Sequence, residues 1–96
     1  EEAITLFEQV LPDRIRVLGE DHPDTLSSRN NLAGAYHAMG RLEEATTLFE
    51  QVTKDCARIL GEDHALTKTV RENLEAARRE LAQREDRSPT EKREEN

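Results

Sequence analysis

Apolar residues along this chain recur with the period of an α-helix. In the stretch 43–60, Ala45, Leu48, Phe49, Val52, Cys56, Ile59 and Leu60 follow spacings of 3, 1, 3, 4, 3 and 1. Those spacings set them on one helix face. Leu26, Leu32, Ala33, Tyr36 and Met39 form a second such stripe. Each stripe ends at a glycine, Gly61 or Gly40, the residue that most readily takes the left-handed turn closing a helix. Pro23 suits the first turn of a helix, where a missing N–H costs nothing, and Asp24 beside it favours the positive helix end. The pattern predicts helices over 1–18, 23–39, 42–60 and 65–85. A disordered polar tail is expected over 86–96, because that segment is highly charged and lacks apolar residues beyond Pro89.

The helices repeat. "EEAITLFEQVLPDRIRVLGEDH" at 1–22 aligns with "EEATTLFEQVTKDCARILGEDH" at 43–64, with 16 of 22 positions identical and an offset of 42 residues. The segments that follow each copy, 23–42 and 65–84, keep five identities in 20. One half of the unit is nearly copied and the other half has diverged. "LGEDH" occurs in both copies as the link between two helices, with Gly19 or Gly61 closing one. Asp21 or His22 falls at the N-cap of the second helix, and Asp is the better capper by type. Helices joined by so short a link pack antiparallel.

Leu32, Ala33, Tyr36, Gly40, Leu42, Ala45, Phe49 and Val52 meet, in order, the pattern of the tetratricopeptide repeat, which the chain therefore resembles. Ala3, Phe7 and Val10 meet the second half of that pattern. The 42-residue spacing and "LGEDHPDTL…NNLA" look like the longer variant of kinesin light chains, also used by repeat-containing bacterial signalling proteins. The resemblance covers residues 1 to about 84. It implies an all-α fold, an antiparallel helix-hairpin solenoid of four helices. Residues 1–22 would be the second half of a truncated repeat, 23–64 a complete repeat and 65–85 a C-terminal capping helix. Glu75 stands where the pattern wants a small packed residue, Arg78 where it wants an aromatic, and Ala82 replaces the turn glycine. A decayed repeat would account for this, and a capping helix accounts for it better, because a cap's outer face meets water. It should run straight on past Leu81.

The resemblance further implies a noncatalytic module that binds a protein or peptide on its concave face. Inner-face Asn side chains in this family often hold a ligand backbone through their paired donor and acceptor. Asn31 falls on the expected groove side, with Ser27, Asn30, Gly34 and His37 on the same general surface and Asn73 as its counterpart in the last unit. Gly34 would let a ligand backbone approach closely. A purely structural role for Asn31 and Asn73, bonding a neighbouring helix, explains their recurrence equally well.

Composition narrows the chemistry. The formal charge is −7, with 21 acidic against 14 basic residues. That argues against nucleic acid, which needs a Lys/Arg footprint. No apolar run approaches a membrane span. Cys56 is a single cysteine, so no intrachain disulfide is expected, and a reducing, cytoplasmic setting is the simple reading. Cys56 itself falls on the buried stripe. His22 and His64 sit in equivalent links one repeat apart, so a shared metal or acid–base site is not expected. No phosphate loop, metal-ligand spacing or nucleophile–base set is present, so neither cofactor nor catalysis is expected. The chain opens at "EEAITLF" as though inside a helix, which reads as a piece of a longer protein.

Two features of the first helix stand out. Pro12, whose copy is Lys54, falls in mid-helix and predicts either a kink near Glu8–Pro12 or a complete break. Ile4, Leu11 and Ile15 replace Thr46, Thr53 and Ala57 of the copy and share one face. They are candidates for self-association, as a homodimer or a helix-swapped oligomer. That gives a second function reading, a self-assembling scaffold segment.

Overall fold

The computed structural model describes the backbone of residues 2–95 and the side chains of residues 2–85. It holds four α-helices, α1 (Glu2–Leu18), α2 (Pro23–Ala38), α3 (Leu42–Leu60) and α4 (Ala65–Glu95). The first three differ from the expected bounds by no more than a residue. The fourth differs more. Helical backbone continues to Glu95 where a disordered tail was expected from 86 onward. No glycine stands at 82 to stop the helix, and the Ala, Leu, Gln, Arg and Glu around it are good helix formers. Asn96 lies outside the described residues. α1 runs unbroken through Pro12, so the complete break does not occur.

The three short links carry the positive-φ glycines Gly19, Gly40 and Gly61. The N-cap of α2 is His22, not Asp21. Its Nδ1 accepts from the backbone N–H of Asp24 at 3.0 Å. His64 repeats the contact with the N–H of Leu66, also at 3.0 Å. Asp is the better capper by residue type, but Asp21 comes one residue too early to reach the free N–H groups of the first turn. Both histidines are therefore turn residues, as their separation implied.

α1 packs on α2, α2 on α3, and α3 on α4, while α2 and α4 also touch side by side. The core is built around α3: Ala45, Phe49, Val52 and Cys56 meet Leu26 and Ala33 of α2 and Val70, Leu74 and Ala77 of α4. Burial pushes the Cys56 thiol up, the opposite of an activated nucleophile.

The α1 face proposed for self-association is taken up inside the chain. Ile4 is 2% exposed, and Leu11 and Ile15 are half-buried. Among the described residues α1 packs on α2 alone, so this face seats α2. The corresponding α3 positions, with Thr46 and Thr53 in place of Ile4 and Leu11, belong to the interface with α4. There the buried hydroxyls of Thr46, Thr53 and Thr67 find no hydrogen-bond partner among the described residues. The extra apolar residues of α1 thus mark a more apolar helix pair, not an outward patch.

One ion cluster ties the helices together. The Arg29 guanidinium donates to Asp55 at 2.8 Å, with side chains 13% and 30% exposed. Arg58 reaches both Asp55 and Asp21. Burial alone would raise the Asp55 carboxyl, but the hydrogen bonds from Arg29 and Arg58 outweigh it and hold it below the ordinary range. A lowered folded-state value means stabilisation that is present above the unfolded-state value and lost as pH falls through the folded one. Arg29→Ala is expected to cost about 1–3 kcal/mol near neutral pH. Thermal melts should show the gap to the wild type narrowing below about pH 4, the ordinary Asp range. A gap of constant size at every pH would show that the pair carries no such contribution.

Candidate functional site

The polar residues singled out in α2 fall into two groups. Ser27, Asn30, Gly34 and His37 follow spacings of 3, 4 and 3, one helical face. This face borders α4. Asn73 donates its Nδ2 to Asn30 Oδ1 at 3.2 Å, and His37 Nε2 lies 3.1 Å from Glu80 Oε1. The His37 ring also stands edge-on to Phe49, with centroids 6.5 Å apart. Packing on one side and a carboxylate on the other hold that imidazole in place. At the end of the face, Arg84 reaches the Gly40 carbonyl and the Glu43 carboxylate. Gly34 lies between Asn30 and His37, and a Cβ built there meets nothing within 4 Å. Packing therefore does not require glycine at this position, and the space above it is open.

Asn31 lies elsewhere. It is exposed and borders a hollow of about 410 Å³ between α1 and α2, beside Leu6, Phe7, Val10 and Arg14. Its copy Asn73 is the residue that bonds Asn30. For Asn73 the structural role is thus observed, with its amide spanning from one helix to the next. Asn31 has the same register but faces the open flank.

Sequence reasoning missed Glu80, Arg84 and the tie between Tyr36 and Glu8. The Tyr36 hydroxyl donates to Glu8 at 2.7 Å, and the Arg41 guanidinium lies 4.7 Å from the ring centroid. The hydrogen bond to Glu8 raises the Tyr36 hydroxyl, with burial adding to it. Charged residues on exposed helix faces carry no pattern that tells these partners from ordinary surface residues. Among the described residues, no group of three His, Cys, Asp or Glu side chains could hold a metal ion. No described helix is long and apolar enough to cross a membrane.

The groups on this face are hydrogen-bonding ones. Amide, hydroxyl, imidazole and carboxylate groups are arrayed along two adjacent helices around an open glycine.

A tetratricopeptide repeat profile matches residues 1–56 and again 30–86. Two Arabidopsis thaliana proteins, Protein KINESIN LIGHT CHAIN-RELATED 3 and Protein KINESIN LIGHT CHAIN-RELATED 2, are similar to it. They are 49% identical over 43 residues and 50% identical over 42. Those matches cover 45% and 44% of this chain but 7% and 6% of the relatives, so it spans well under a tenth of their length.

Proposed function

Because this chain belongs to the tetratricopeptide repeat family, whose repeats mediate protein–protein interaction, we propose that it is a noncatalytic module holding a peptide or partner segment on the α2–α4 face. The observation that carries this reading is the open space over Gly34, flanked by polar groups on two helices. An extended peptide needs donors and acceptors at intervals along its backbone, and Ser27, Asn30, His37 and Asn73 supply them. Asn31 is not part of this array. With a charge of −7, basic or neutral segments fit better than acidic ones, and nucleic acid does not fit.

Gly34→Lys tests it. The side chain has room, and replacing a mid-helix glycine removes about 1 kcal/mol of helix penalty, so melting temperature should hold or rise. Peptides selected from a random display library against the wild-type chain are expected to lose binding to this variant. Selected peptides that bind Gly34→Lys as tightly as the wild type would overturn the α2–α4 assignment. Self-assembly remains the second reading: Ile4, Leu11 and Ile15 pack on α2 within the chain, and a helix-swapped oligomer would use the same interface between copies.

A further inference from the structure

Glu80 and Arg84 both stand on the α2–α4 face, and the fold uses them differently. The Arg84 guanidinium is taken up by the Gly40 carbonyl at 3.4 Å and the Glu43 carboxylate at 3.3 Å. Among the described residues the Glu80 carboxylate pairs with His37, whose Nε2 lies 3.1 Å from Oε1. With histidine neutral at pH 7, as in the formal charge of −7, that imidazole leaves the carboxylate charge in place. The Glu80 side chain is 56% exposed, so the charge stands open to whatever lies on the face.

The place of that charge is fixed. The His37 side chain is 24% exposed, and its ring stands edge-on to Phe49. His37 lies three residues beyond Gly34, about 4.5 Å along the helix. The carboxylate it holds is thereby set one helical turn from the open space over Gly34. Packing does not ask for it. The 42-residue offset makes Ala38 its copy, and Ala38 is exposed at the end of α2. A methyl thus stands at this place in one unit and a carboxylate in the next.

On the reading that the α2–α4 face holds a peptide, we propose that Glu80 sets which peptides it accepts, by taking a lysine or arginine side chain of the bound segment. A neutral segment laid over Glu80 would strip water from the carboxylate and return nothing for it. An acidic one would add repulsion. A cation restores what water gave, and Oε2 is the oxygen that His37 leaves to it. An extended chain advances about 3.3 Å per residue. The cationic residue therefore falls one or two places from the residue that crosses Gly34.

The experiment takes the display-selected peptides that bind the wild-type chain and follows the anisotropy of a fluorescent one. The peptides are expected to share a Lys or Arg at one place. Glu80→Lys should weaken their binding at least about tenfold. Glu80→Gln keeps an oxygen for His37 and should weaken it about threefold. A peptide with Glu in place of the shared cation should bind Glu80→Lys and not the wild type, which a merely structural role for Glu80 would not produce. Glu80 is exposed, and circular dichroism checks that each variant keeps its fold. Peptides that fail on Gly34→Lys but bind Glu80→Lys as tightly as the wild type overturn the role of Glu80 and leave the α2–α4 face in place. Weakened binding that the charge-exchanged peptide does not restore overturns that role too. Peptides indifferent to both variants overturn the face itself, and the role of Glu80 with it.

Discussion

Phe49→Ala is expected to cost about 3–5 kcal/mol, the cost of deleting a fully buried aromatic side chain. Phe49 has no exposed surface, and it is the largest fully buried side chain of the core. Its position makes the loss global. In a solenoid each repeat contacts only its neighbouring repeats, and α3 is the helix that joins α2 to α4 through the main core. A small domain has about 5–15 kcal/mol of stability in total, so the variant should be unfolded or close to it at room temperature. Melting followed by circular dichroism should fall by more than about 12 °C, taking about 4 °C per kcal/mol as the lower bound for a domain of this size. The internal control is Phe7→Ala, the same residue at the same place in the copy. Phe7 is only half-buried because the flank of α1 is open, so about 1 kcal/mol is expected. Equal losses at the two sites would mean that the open flank is covered in solution, or that α3 is not the centre of the core.

The comparison of Phe49 with Phe7 also shows what could be read in the chain beforehand and what could not. Helical spacing, the glycine stops and the 42-residue offset placed α1, α2 and α3 to within a residue, because each of these signals is local. The fold class followed from the same signals. Which face of α1 is covered did not follow, since that depends on which neighbours exist. Ile4, Leu11 and Ile15 looked like an outward patch by comparison with Thr46, Thr53 and Ala57, yet both sets face the next helix. The difference between them is polarity, visible in the buried hydroxyls of α3 and α4 that find no partner among the described residues. The same limit applied to the asparagines. Sequence put Asn30 and Asn31 together, but adjacent helix positions are about 100° apart. One therefore turns to α4 and the other to the open flank. The choice between the two N-cap candidates, Asp21 and His22, turned on a different property. Residue-type preference favoured Asp21, while reach favoured His22, and reach decided.

Pro12→Lys is expected to stabilise the chain by about 1–3 kcal/mol. Proline in a helix interior removes a backbone donor and crowds the carbonyl four residues back, a penalty of about 3 kcal/mol. Here that carbonyl belongs to Glu8, and α1 nevertheless continues as helix from Glu2 to Leu18. The burial of Ile4 against α2 and the bonds from Thr25 to the Arg14 carbonyl and from Tyr36 to Glu8 hold the helix on either side of the proline. Tertiary contacts are therefore overruling local propensity, and relieving the conflict should release free energy. Lysine is the residue the copy uses at this place, Lys54, which is exposed in an uninterrupted α3. Pro12 is exposed too, so the substitution removes no packing. Because α1 rests on α2 alone among the described helices, part of the gain should appear locally. Amide exchange in α1 should slow more than exchange in α3, alongside a rise in melting temperature. No change in either would mean that the proline costs the helix nothing at this place.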